Sequence, residues 1–79
     1  MNSASVFGRV IRHFRTELRI SQERLSQESG LDRSYISLLE RGLRQPSLTT
    51  ILQLAKALNI SSVEIITKVE ELLSENIKD

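Results

Sequence analysis

The stretch that most limits what this chain can fold into runs from Ser21 to Arg44, SQERLSQESGLDRSYISLLERGLR. It reads as two short helices, roughly Gln22–Ser29 and Arg33–Glu40, joined by a tight turn. Ser21 stands where a side-chain oxygen can cap the first helix. Gly30 supplies the turn, because a residue without Cβ adopts positive φ at little steric cost. Asp32 is expected to cap the second helix by accepting from the backbone N–H of Ser34 or Tyr35. Leu25, Leu31, Ile36 and Leu39 fall where two steeply crossed helices must touch each other and a core. The outward face of the second helix carries Arg33, Ser34, Ser37 and Arg41, all able to hydrogen-bond. Two helices so arranged make a helix-turn-helix, whose second helix suits the DNA major groove.

The remaining pattern is helical throughout, so the fold class is all-α. Val6, Phe7, Val10, Ile11, Phe14 and Leu18 mark one face of a first helix, roughly Ser5–Leu18. Gly42 ends the third helix, and Gln45-Pro46-Ser47 forms a loop. Ser47 caps a fourth, roughly Leu48–Leu58, which Asn59 stops. Ser61 caps a fifth, roughly Ser62–Glu75. Its apolar stripe, Ile65, Ile66, Val69, Leu72 and Leu73 with Ile77 beyond, has two readings. It packs on the first helix, or part of it forms a homodimer interface. The second is favoured, because a small core has limited room for a stripe that wide.

Seventy-nine residues fit one small helix-turn-helix domain spanning 1–79. Cysteine is absent and histidine occurs once, so neither a disulfide framework nor a metal site is expected. No apolar run approaches the roughly 18 residues of a membrane span. The N-terminus, MNSASVFGRV, lacks the basic-then-apolar order of a secretory signal, so a cytoplasmic location is expected. The three glycines are far apart and form no phosphate loop, and no nucleophile has an evident base beside it. An enzyme is therefore not expected, nor a cofactor.

Charge is asymmetric beneath a net value of +1. Residues 1–45 hold all eight arginines against five acidic residues, whereas residues 46–79 hold three lysines against five acidic residues. Arginine suits bidentate contact with phosphate and guanine, so the N-terminal half is the one expected to meet double-stranded DNA.

Arg33, at the start of the recognition helix, can fork onto guanine O6 and N7. Ser34 and Ser37 share its face as short donors and acceptors. Gln22 can offer its backbone N–H and side-chain amide to a phosphate. Arg41, Arg44 and Gln45 can reach the sugar-phosphate backbone or an adjacent minor groove. Tyr35 has two readings: its ring packs on the first helix with the hydroxyl at phosphate, or it reaches a base. Arg15 and Glu40 are expected to form a structural ion pair that ties the first helix to the third and leaves guanidinium donors free for phosphate. His13 reads as a surface residue.

The segment from Ser21 to Ser61 resembles the Xre/Cro-like helix-turn-helix regulators, the group that includes phage repressors. Gln22, Leu25, Gly30, Leu31, Ile36, Leu39, Glu40, Gly42, Pro46 and Leu58 all match the family pattern, and Ser26 departs from it, since a small apolar residue is commoner there. The resemblance implies a compact five-helix, lambda-repressor-like DNA-binding domain with its helix-turn-helix at helices 2 and 3. Within that family, LDRSYIS at Leu31–Ser37 and ERGLR at Glu40–Arg44 are most similar to the small controller proteins of restriction–modification systems. That likeness implies a homodimer on tandem operators that activates its own gene and the endonuclease gene and represses at higher occupancy, with RNA polymerase as a candidate partner. It also implies DNA contact by Arg33, Ser34, Tyr35, Ser37 and Arg44. A phage-type repressor or antitoxin is the alternative within the class. A protein-interaction module using the apolar fifth helix is the alternative outside it.

Overall fold

The computed structural model describes residues 2–77, with side chains described to Glu75. The expected extension of the apolar stripe at Ile77 lies outside the described side chains. Five helices and no strand occur among the described residues: α1 Ser3–Glu17, α2 Gln22–Ser29, α3 Arg33–Glu40, α4 Leu48–Ala57 and α5 Ser62–Ile77. The pair α2–α3 has the bounds read from the sequence. Helix α1 begins two residues earlier than expected, because Asn2 rather than a later residue caps it. The Asn2 side chain accepts from the Ser5 N–H at 2.9 Å.

Local chemistry sets the other ends too. Ser21, Ser47 and Ser61 accept from the N–H groups of Arg24, Thr50 and Glu64 at 3.0, 3.1 and 3.2 Å. Asp32 does not cap α3 with its side chain. That expectation is corrected: the carboxylate is exposed, and the start of α3 faces solvent, where water can satisfy its N–H groups. Helix α3 closes with a Schellman motif. Gly42 takes φ +75°, its N–H donates to the Leu39 carbonyl at 3.0 Å, and the Leu43 N–H donates to the Leu38 carbonyl at 2.9 Å.

Helix α1 packs on α3 and α5, α2 on α3 and α4, and α4 on α5. Val6, Val10, Ile11, Leu25, Ile36, Leu39, Leu54, Leu58 and Ile65 are fully buried where these faces meet. Each such side chain contributes about 1.5–3 kcal/mol of transfer free energy. Helix α1 crosses the end of α3 at backbone contact. A Cβ on Gly8 would collide with the Leu39 and Glu40 carbonyl oxygens, so this close crossing needs glycine.

The fifth helix divides the expected dimer stripe. Ile65 and Val69 lie inside the protomer core and are not available to a partner, which corrects their placement in an interface. Leu72 and Leu73 are half-buried against the same core. Only Ile66 of the five is exposed, at 39%. The reason is the crossing with α1 and α4, which takes up the Ile65–Val69 edge of the helix and leaves the Ile66 edge outward.

Candidate nucleic-acid interface

The helix-turn-helix is held by one buried charge node. Glu40, at the end of α3, accepts from Arg15 Nε at 2.7 Å and Nη2 at 3.0 Å, and from Gln22 Nε2 at 3.0 Å. Arg15 Nη1 donates to the Ile20 carbonyl at 2.8 Å. The two charged side chains are 12% and 4% exposed. Hydrogen bonding to Glu40 raises the Arg15 pKa above its ordinary value, with the carboxylate charge adding to it and burial opposing it. The pair thus joins α1, the α1–α2 turn, the first turn of α2 and the end of α3. Two expectations change here. Each nitrogen of the Arg15 guanidinium donates once to a protein acceptor and the side chain is only 12% exposed, so the group is committed first to structure. The Gln22 amide points inward to Glu40, which leaves the backbone N–H as the part of Gln22 able to meet an anion.

The turn between α2 and α3 is bonded to itself. Gly30 takes φ +77°, and its N–H donates to the Ser26 carbonyl at 2.9 Å. The Ser26 hydroxyl donates to the Leu31 carbonyl at 2.5 Å, and the Leu31 N–H donates to the Ser29 hydroxyl at 3.2 Å. Ser26 therefore departs from the family pattern with a compensating bond: the half-buried hydroxyl is satisfied across the turn.

The outward face of α3 is open. Arg33, Ser34 and Arg41 are exposed and Ser37 is half-buried. Arg33 Nε lies 3.9 Å from Glu23 Oε2, beyond hydrogen-bond distance, with both side chains more than half exposed. Such a pair is worth at most about 1 kcal/mol, so the guanidinium can turn to another partner. Glu28 of α2 pairs with Arg24 at 3.1 Å rather than with Arg33. Arg41 Nε donates to the Ser37 carbonyl at 3.4 Å.

Tyr35 is half-buried, and its hydroxyl lies 3.5 Å from Thr50 Oγ1 at the start of α4. Tyr35 thus spans from α3 to the start of α4. Arg44 is exposed in the loop after α3. Gln45, also exposed, donates to the Ser3 hydroxyl at 3.2 Å. His13 is exposed and 3.8 Å from Glu17.

Sequence reasoning reached only Ile66 of one apolar surface and passed over the rest. Leu48 and Leu52 of α4 and Val63 and Ile66 of α5 are 72%, 50%, 70% and 39% exposed. Ile51 and Ile66 line one groove of about 150 Å³ between those helices and the α3–α4 loop. A signal existed in the i, i+4 spacing of Leu48 and Leu52. It was masked because α4 as a whole reads as a core helix.

An all-α bundle with a stapled α2–α3 pair and an open polar α3 face defines a helix-turn-helix protein. The chain belongs to the helix-turn-helix family, whose model matches residues 11–65. It is similar to the control protein C.SmaI of Serratia marcescens, with 38% identity over 68 residues, covering 86% of this chain and 81% of that one. It is similar in structure to the restriction–modification controller protein C.AhdI of Aeromonas hydrophila, with 48% identity and a TM-score of 0.77 over 78% of this chain and 94% of that one. A third likeness is to the controller protein C.Esp1396I, solved as a tetramer with its natural 35-base-pair operator, with 31% identity and a TM-score of 0.83 over 90% of this chain and 93% of that one. Among the described residues, no helix is long and apolar enough to cross a membrane.

Proposed function

We propose that this chain is a sequence-specific transcriptional regulator of the restriction–modification controller type, which binds its own operator as a homodimer. The observation that carries the reading is the contrast on α3: a buried, fully bonded end at Glu40 and an open end at Arg33. Arg33, Ser34 and Ser37 read base edges. Arg41, Arg44, Gln45 and the Gln22 backbone N–H hold the sugar-phosphate backbone. Tyr35, bound only loosely to Thr50, can swing toward DNA without leaving a strong bond behind. The likeness to controller proteins, one of them solved on its operator, supports the same assignment.

Residues 1–79 act as one DNA-binding unit, without a catalytic role, in the cytoplasm. The dimer forms through the apolar surface of α4 and α5, Leu48, Leu52, Val63 and Ile66, flanked by Leu72 and Leu73. One recognition helix reads only a few base pairs, and a two-fold dimer places two helices about 34 Å apart, one turn of DNA. Activation would bring RNA polymerase in as a further partner. The test is a gel-shift of the DNA upstream of the gene against scrambled competitor, with analytical ultracentrifugation of the free protein. Retention of a specific shift by a dimer supports the reading. Equal competition by scrambled DNA, or a monomer at all micromolar concentrations that still binds specifically, contradicts it.

A further inference from the structure

Four turns of this chain place a residue with positive φ just after a helix. Gly30 and Gly42 follow α2 and α3, and Asn59 at φ +58° follows α4. These are the residue types that tolerate the left-handed region. The turn after α1 instead uses Arg19, at φ +59°. Its backbone makes the same closing bonds, Arg19 N–H to the Thr16 carbonyl at 2.9 Å and Ile20 N–H to the Arg15 carbonyl at 3.4 Å. Glycine would make them with less strain. The Arg19 side chain is exposed and makes no hydrogen bond or ion pair among the described residues. Nothing among the described residues therefore accounts for an arginine in this conformation.

Its position suggests what does. The Ile20 carbonyl is held by Arg15, which clasps Glu40, which also holds Gln22. The turn carrying Arg19 is thereby fixed beside the start of α2 and the end of α3. The loop with Arg44 leaves α3 by way of Gly42. When α3 enters a major groove about 12 Å wide, the elements flanking it meet the phosphate walls. We propose that Arg19 is a phosphate clamp, whose guanidinium neutralises one backbone phosphate beside the groove that α3 reads, irrespective of base sequence. This rests on the DNA-binding reading above. It assigns the backbone strain at Arg19 to function: a residue costly to the free fold supplies a contact only DNA completes.

The proposal sets stability and affinity in opposition. Arg19→Gly should raise Tm by about 4 °C, because glycine relieves the left-handed strain. The same change should weaken binding to operator and scrambled duplexes by the same factor. It should also reduce the slope of log K against log salt by about 0.9, the value of one phosphate contact. Arg19→Asn, which also tolerates positive φ, should give the same slope change. Lys68→Gln, which removes a cation from α5, should leave the slope unaltered. An Arg19→Gly protein with unchanged affinity and slope overturns the clamp, as does a loss confined to the operator. The scrambled duplex reports the slope by itself, so the clamp can be judged even where wild type fails to prefer the operator.

Discussion

The two ends of α3 lie seven residues apart and carry opposite charges with opposite fates. Glu40 is nearly excluded from solvent and accepts three hydrogen bonds from two other helices. Arg33 is mostly exposed and has one loose neighbour at 3.9 Å. A charge taken out of water is tolerable only when its partners are fixed, so the Glu40 end is committed to structure. A charge left in water costs little to redirect, so the Arg33 end remains available to a ligand. The fixed end gives the free end its aim: α3 cannot tilt without breaking the Arg15–Glu40–Gln22 node.

The largest expected effect comes from breaking the fixed end. Glu40→Ala strands the Arg15 guanidinium in a mostly buried site and should cost about 3 kcal/mol of stability, lowering Tm by well over 10 °C. Thermal and urea unfolding followed by circular dichroism measure it. A loss under 1 kcal/mol would mean the two ends of α3 are not different in kind.

A change at the α4–α5 surface should leave the protomer intact and act on assembly. Ile66→Glu puts a carboxylate into the proposed interface at the cost of about 2 kcal/mol or more of dimer stability. Ultracentrifugation should show the monomer at concentrations where wild type is dimeric, with helical content preserved. Unaltered association would place the interface elsewhere.

The smallest effects compare two helix starts. Ser21→Ala removes a side-chain cap from α2 and should cost about 1 kcal/mol. Asp32→Ala removes a side chain that caps nothing and should change stability by less than about 0.5 kcal/mol. Equal costs in urea melts would restore Asp32 as a cap.

Most of the fold was legible because local chemistry and periodicity agreed. Gly30 and Gly42 lie at the turns their lack of Cβ suggested, and Ser21, Ser47 and Ser61 cap the helices they precede. Asp32 was misread because capping depends on a rotamer, and an exposed helix start lets water take the same role. The Ile65–Ile66 pair shows a second limit. Period alone gives an apolar stripe, whereas crossing angles decide which edge is inside, and Ile65 is buried while its neighbour is not. Gln22 shows a third: its type suggested an anion contact, yet a carboxylate 18 positions along the chain claims the amide. Arg19 carried no sequence signal at all, since nothing in the residue type announces positive φ.

The central claim is that the open end of α3 reads sequence. It is tested most directly by titrating wild type and Arg33→Ala against the upstream operator and a scrambled duplex at one fixed salt concentration. The account predicts that the variant loses about 1–3 kcal/mol on the operator, with a much smaller change on scrambled DNA. An Arg33→Ala protein that keeps its operator affinity and its preference would contradict it.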